Sequence, residues 1–396
     1  MQEKLAKAFQ FIDSKRDEMV SLWGKLVNME SGTLHREDVD KVAAFLRETA
    51  ESFGGDARLV EFPQAGNGLV ADFGPPTDKP HVCFMGHFDT VFPQGTVSRR
   101  PFKIEDGKAY GPGVLDMKAG IVIQLYAIRA LREAGYSDRR IRVVLAGDEE
   151  TGHSKSEMAR VFEEQCAGAI AAFNFETGDV SNALVVGRKG TASYDIAVRG
   201  ISVHAGREPE KGRSAILEMA HKIIAIQALT DYEKGITFNV GTIKGGTVRN
   251  AVPDHAEIGV DVRVMEVDQL DYVDRKISEI VARTYVEGTT TTCVRESGII
   301  PMSRTPGNER LFDLVRRVSE ELGFETPFPI VSGGGSDSSW SVKMGVPTID
   351  QMGAKGQWNH SDREYAVVDT LFERTKLAVA CVFELEKFQG QSEVGL

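Results

Sequence analysis

Residues 82–90 read VCFMGHFDT: four apolar residues without a polar break, a glycine, then a histidine and an aspartate two positions apart. A short uninterrupted apolar run of this kind suits a strand buried on both faces. Outward from it the pattern alternates. Upstream lie the extended segments ARLVEF (57–62) and NGLVADFG (67–74). Downstream, a helix is predicted from near Lys118 through Leu125, Ile128 and Leu131 to Gly135, then a strand at Ile141–Ala146 and a second apolar run at Ala169–Phe175. Buried strands alternating with helices predict an α/β layered sandwich. The first 55 residues are expected to form two helices, with Leu5, Phe9, Ile12, Met19, Leu22, Trp23 and Leu26 at helical spacing, then Val39, Val42, Leu46, Ala50 and Phe53 before a Gly54-Gly55 stop.

Between about 187 and 298 the pattern changes. TASYDIAVRG (191–200) and AEIGVDVRV (256–264) alternate polar and apolar residues, as half-exposed strands do, and they flank helical stretches near 209–229 and 267–284. Two helices on one face of an antiparallel sheet would make a separate α+β unit inserted at 187–298 into a domain built from 1–186 and 299–396. After the insertion a helix is expected at 308–322, a short apolar run at Phe328–Val331, a glycine-rich turn, a closing helix near 369–388 and a frayed tail.

The chain has 396 residues, with 47 Lys and Arg against 58 Asp and Glu, for a net charge of −11. That balance argues against a nucleic-acid partner, which calls for a basic stripe. No run reaches the roughly 18–20 apolar residues of a membrane helix. The N-terminal MQEKLAKAFQFIDSKRDEM lacks the continuous apolar core of a secretory leader, so the expected location is the cytoplasm, unless a leader has been removed. The four cysteines are widely spaced with no CxxC, which points to buried free thiols rather than a disulfide scaffold or zinc knuckle.

Chemistry concentrates where predicted strands end. His87 and Asp89 face the same way in an extended chain, and a carboxylate on the second nitrogen of a metal-bound imidazole sets its tautomer. Asp116 lies in GPGVLDMKAG just before a helix, Asp148-Glu149-Glu150 follow the strand IRVVLAG, Glu176 ends AAFNFE, and His360 sits in WNHSD. Singly each has an ordinary role: Asp116 as a helix cap, the acidic triplet as a solvated loop, Glu176 as a surface residue, His87 as a satisfied loop histidine. Jointly, His87, Asp116, Glu149 or Glu150, Glu176 and His360 form a nitrogen and oxygen donor set at strand ends, where ligands cluster in open α/β sheets. Such a set without thiolate suits zinc, manganese or cobalt. Charge balance permits two divalent ions: Asp116, Glu150, Glu176 and one bridging hydroxide neutralise them, leaving Glu149 over as a general base. HExxH, GxSxG and GxxxxGK[ST] are absent.

GHFDTVFP, GPGVLDMKAG, DEETG, FETGD, SVHAG, VRNAVP, DVRV, SGGGSD and NHSDREY, in this order across nearly the whole chain, resemble the co-catalytic dizinc metallopeptidase family of glutamate carboxypeptidase, aminoacylase, succinyl-diaminopimelate desuccinylase, acetylornithine deacetylase and peptidase T. The cadence is most similar to the glutamate carboxypeptidase branch. The resemblance implies a three-layer α/β/α, zinc-exopeptidase-like catalytic domain with an inserted α+β, ferredoxin-like lid that also makes a homodimer. It implies that Asp116 bridges two metals, zinc first, with His87 and Glu176 completing one site and Glu150 and His360 the other. Asp89 would orient His87, and Glu149 would be the general base. His204 would reach the partner subunit's site to steady the oxyanion. Arg263 and Asn250 would hold a substrate carboxylate beside the Gly333-Gly334-Gly335 turn. The implied reaction is hydrolysis of an amide next to a free carboxylate, releasing a C-terminal amino acid from a small peptide or N-acyl amino acid. An N-acyl-amino-acid deacylase is the alternative. A non-catalytic metal-dependent peptide-binding protein is the rival class, and its mark would be loss of Glu149 or a ligand, of which this chain shows none.

Overall fold

The structure, a computed structural model, describes residues 2–296 and 298–388; the tail expected to fray lies outside them. The chain divides into two compact units, Met1–Gly187 with Arg304–Val331 and Ser336–Leu396, and Arg188–Ser303 with Ser332–Gly335. The second unit therefore runs past 298 and takes in the glycine turn, for a reason visible in its hydrogen bonds. Arg188 and Met302 exchange backbone bonds at 2.9 and 3.1 Å, Thr191 N–H donates to Ile299 O at 2.8 Å, and Lys189 N–H donates to Ser332 O at 2.9 Å.

The first unit is mixed α/β. Its six-stranded sheet runs, edge to edge, Asp56–Val60, Gly68–Phe73, Ile141–Ala146, Val82–His87, Ala171–Asn174 and Thr348–Ile349. The first two pairings are antiparallel and the last three parallel. Every residue of Val82–His87 and of Ala171–Asn174 is buried, as the unbroken apolar runs require. Because the central strands are parallel and in register, with His87 opposite Ala146 and Met85 opposite Asn174, their carboxyl ends carry His87, Asp148 to Glu150 and Glu176 out at one edge of the sheet. The helix Ala119–Glu133 is buried over most of its length. Gly120 in its first turn is needed for close approach, since a Cβ there would stand 2.0 Å from Phe175 O.

The N-terminal 55 residues form three helices rather than two: Gln2–Ser14, Arg16–Val27 and Arg36–Ser52. The chain turns at Lys15, whose N–H donates to Ile12 O while Ser14 Oγ donates to Phe11 O. Apolar spacing passes through this turn unmarked because both flanking helices bury their apolar residues in one core, among them Ala8, Ile12, Met19 and Trp23. A second, five-stranded sheet is present that the sequence pattern does not show. It pairs Lys355–Gln357 with Tyr365–Val367 as a hairpin, and His360 lies in the connecting loop. Its strands are two or three residues long, too short for any periodicity to show.

The second unit is a four-stranded antiparallel sheet in the order Thr237–Gly245, His255–Val264, Gly190–Arg199, Thr290–Arg295. Burial alternates along Gly190–Arg199 and His255–Val264, and helices Ala215–Gln227 and Asp268–Ala282 pack on it around a core of its own. Inside that core Lys222 Nζ pairs with Glu218 at 3.0 Å, both side chains fully buried. Glu218 also accepts from the N–H groups of Tyr285 and Val286, and Lys222 donates to the carbonyls of Ile280, Val281 and Arg283. Lys222→Met strips the buried carboxylate of its cation. It is expected to lower unfolding free energy by about 3–5 kcal/mol in urea titrations, and a loss below about 1 kcal/mol would show the pair to be dispensable.

Among the described residues no helix is long and apolar enough to cross a membrane. All four cysteines are free thiols; three are buried and Cys293 is half-buried. Folding places Cys83 and Cys166 in contact, Sγ to Sγ 3.2 Å, a proximity that their sequence spacing does not show.

Candidate metal centre

His87 ends its strand with the imidazole buried, and its two nitrogens face carboxylates. Nδ1 lies 3.1 Å from Asp89 O and 3.3 Å from Asp89 Oδ1, while Nε2 lies 3.2 Å from Asp116 Oδ1 and 3.4 Å from Glu176 Oε1. Burial opposes charge on this ring, yet Glu176, Asp116 and Asp89 together hold its pKa well above the ordinary histidine value. Nε2 aimed between two carboxylate oxygens is attractive only with a cation, proton or metal, between them.

Asp116 does not cap the following helix, the ordinary role of an aspartate in that position: the residue at the helix N-cap is Lys118. The Asp116–Met117 peptide is cis, and the Asp116 carboxylate is buried with its oxygens divided. Oδ1 faces His87, and Oδ2 lies 3.0 Å from His360 Nε2 and accepts from Asn359 Nδ2 at 3.1 Å. His360, half-exposed in its loop, also places Nε2 3.2 Å from Glu150 Oε2. Hydrogen bonds to Asp116 and Glu150 push the His360 pKa up to about 11. Burial and the neighbouring Asp116 raise Glu150 to about 7. Glu176 is likewise raised, first by burial.

Asp89 does more than face His87. Its two oxygens accept the backbone N–H groups of Glu149 at 3.2 Å and Glu150 at 3.1 Å, so one carboxylate orients the imidazole and pins the acidic turn. The Glu149 carboxyl is raised well above the ordinary range by burial and by the charges of Glu176, Asp337 and Glu150, against the pull of His87.

These residues fit divalent cations. One ligand atom from each of His87, Asp116 and Glu150 falls within 4.8 Å of the others, the donors are nitrogen and oxygen, and Glu150 Oε1 is buried with no hydrogen-bond partner among the described residues. Carboxylates brought this close repel unless positive charge is shared between them; protons or cations can supply it.

In the second unit, His204 is exposed with Nδ1 accepting from Gly206 N–H at 3.1 Å, and Ala205 N–H donates to Asn250 O at 2.9 Å, so the segments bearing His204 and Asn250 are neighbours. Arg263 Nε pairs with Asp261 at 2.9 Å and its Nη1 donates to Gly333 O at 3.4 Å. None of Gly333, Gly334 and Gly335 has a positive φ, and a Cβ on Gly333 would meet nothing within 4 Å. Gly333 and Gly334 leave backbone exposed, whereas Gly335 packs closely on Ile299, which a Cβ there would meet at 3.1 Å.

Two groups of residues escaped sequence reasoning. Glu364, fully buried, accepts from the N–H groups of Gly113, Leu115 and Asp116 at 3.0, 2.8 and 3.0 Å and faces Arg100 at 3.3 Å; burial raises its pKa to about 7. Its signal is lost because its partners are mostly backbone groups far away in the chain. The second group is a buried histidine, His153, held between Asp148 and Asp337.

The model of the peptidase family M20/M25/M40 matches residues 83–384. Carboxypeptidase G2 of Pseudomonas sp. (strain RS-16) is 27% identical over 386 residues, covering 95% of this chain and 91% of its own. A succinyl-diaminopimelate desuccinylase of Xanthobacter autotrophicus is 28% identical over 364 residues, 86% of this chain and 92% of its own. Among solved structures, aminopeptidase PepT from Bacillus cereus superposes with a TM-score of 0.78 at 24% identity, covering 94% of this chain and 99% of its own.

Proposed function

We propose that this chain, which belongs to peptidase family M20/M25/M40, is a metal-dependent hydrolase of the carboxypeptidase type, cleaving an amide next to a free carboxylate in a small peptide or N-acyl amino acid. The observation that carries the reading is the division of Asp116, with one oxygen on His87 and the other on His360, the arrangement a bridging carboxylate needs. In this reading His87 and Glu176 hold one ion, Glu150 and His360 the other, with zinc the first choice and manganese or cobalt suited by the same donors. When bound, such ions bring the pKa of a water from about 15.7 toward about 7 and polarise the scissile carbonyl.

The protein residues then have distinct tasks. Glu149, raised by burial among acids, takes the water's proton and passes it to the departing amine nitrogen. Asp89 keeps His87 in the tautomer that presents Nε2. His204 steadies the oxyanion in the partner's site. Arg263 and Asn250 hold the substrate carboxylate, with the Gly333-Gly334-Gly335 turn beside it, its first two residues exposed. The first unit serves as a three-layer catalytic domain and the second as a ferredoxin-like lid and homodimer contact. Exposed Ile216, Leu217, Ile224, Ile243 and Val248 and the position of Thr237–Gly245 at the edge of its sheet support the last assignment. The intended setting is the cytoplasm, with no nucleic acid or membrane involved.

An N-acyl-amino-acid deacylase is the second reading, favoured by the likeness to desuccinylases; it differs in which side of the amide is recognised. Dipeptides and N-acyl amino acids assayed with zinc, manganese or cobalt separate the two. Carboxypeptidase action predicts turnover that requires the free carboxylate and tolerates changes in the acyl part. Preference for one acyl group across many amino acids would favour the deacylase, and binding without turnover under every metal would favour the non-catalytic class.

A further inference from the structure

His153 lies three residues beyond Glu150, and the reaction proposed above makes no use of it. It is buried, and its backbone is left-handed at φ 56°, directly after Gly152 at φ 60°. A histidine is held in that region at a cost, so something other than backbone preference keeps it there. The ring supplies the reason. Nδ1 lies 2.9 Å from Asp148 Oδ1 and Nε2 2.6 Å from Asp337 Oδ1, with Phe162 packed against the ring at 6.1 Å between centroids. A neutral imidazole would set a lone pair against one of the two carboxylates, so the contact is favourable with a hydrogen on each nitrogen.

Both partners lead to the metal centre. Asp148 opens the turn that carries Glu149 and Glu150, and its carbonyl accepts from the N–H groups of Thr151 and His153 at 3.3 Å. Asp337 is flanked by Ser336 and Ser338, whose hydroxyls donate to Asp350 at 2.6 and 2.8 Å and receive Asn174 Nδ2 at 3.3 and 3.0 Å. Asn174 stands two residues before Glu176. Asp89 pins the acidic turn from the His87 side, and the His153 ring pins its far end.

We infer that His153 is a positioning residue: donating from both ring nitrogens, it clips Asp148 to Asp337 and so fixes the turn that presents Glu149 and Glu150 relative to the strand that presents Glu176. The inference rests on the metal-site reading above, and it predicts an effect on metal binding that holds whether or not a substrate has been identified.

Three variants test it, His153→Asn, Asp337→Ala and Asp337→Asn, the last keeping an acceptor of the same shape. Zinc affinity is measured by chelator competition on the purified full chain, alongside kcat and KM per metal-loaded site and the melting temperature. Outer partners of metal ligands are worth about 10–100-fold in affinity or activity. His153→Asn and Asp337→Ala are expected to weaken one zinc equivalent by that factor and to lower kcat similarly with KM changed less than about threefold, while Asp337→Asn recovers most of both. Parental zinc affinity and kcat in soluble His153→Asn, or equal losses in Asp337→Asn and Asp337→Ala, would overturn the clip. Should His153→Asn fail to fold, the two Asp337 variants decide alone. Zinc affinity that follows the pattern when no substrate is turned over would support the clip and count against the hydrolase.

Discussion

Glu149→Ala is expected to lose at least about 10²–10⁴ in turnover, the span that a positioned proton-transfer group supplies, while still binding both metal ions. Glu150→Ala, one residue on, is expected to lose one ion along with activity. The contrast follows from where the two side chains point. Glu150 Oε2 faces His360 Nε2 at 3.2 Å, and the His360 ring also contacts Asp116. Among the described residues Glu149 forms no such ion pair, although Asp89 accepts from the backbone N–H of both residues. Elemental analysis of the two purified variants beside their kcat checks the division. Equal metal loss in both would place Glu149 among the ligands and leave the reaction without its base.

The second large effect concerns the other unit. His204→Ala is expected to cost about 10²–10³ in kcat, the worth of one oxyanion donor, with metal content unchanged. Mixing His204→Ala with Glu149→Ala subunits shows whose site His204 serves. If it acts on the partner, each mixed dimer regains one site holding both groups, and activity rises well above the residual level of either parent variant. If it acts on its own subunit, the mixture shows no more than the residual activity of the two parents. Dilution to monomer should likewise lower activity without releasing metal, and a fully active stable monomer would overturn the trans role.

The α/β character of the first unit was legible because its evidence is local. Val82–Met85 and Ala171–Phe173 are apolar at every position, and every one of these residues is buried, so the pattern survives without knowledge of neighbours. Alternation along Gly190–Arg199 likewise reports one covered face. Where the local pattern is ambiguous, the sequence does not show the element. The break at Lys15 joins two helices that bury similar faces, so spacing carried no mark of it. The hairpin around His360 is built from strands of three residues, below the length at which periodicity exists.

The candidate site divides in the same way. His87, Asp116, Glu149, Glu150, Glu176 and His360 stand out from chain order only as a set, because each alone has an ordinary role and it is their joint placement after predicted strands that makes nitrogen and oxygen donors gather. Glu364 could not. It lies within the NHSDREY stretch, but its role comes from three N–H groups of the Gly113–Asp116 loop, remote in the chain. His153 could not either, since Asp337 is remote in sequence and the ring's burial depends on Phe162 and the turn around it.

From the amino-acid order alone come the class of fold, the strand ends at which histidines and carboxylates gather, and the residue types able to bind divalent cations, because hydrophobic periodicity and side-chain chemistry are properties of short segments. Folding assigns the partners: Asp89 shared between an imidazole and two backbone amides, Asp116 divided between two histidines, Glu364 bracing the loop beneath it, and His153 clipped between two aspartates. Each of those choices includes at least one hydrogen bond or ion pair between segments far apart in the chain, and that geometry exists only once folding has brought the segments together.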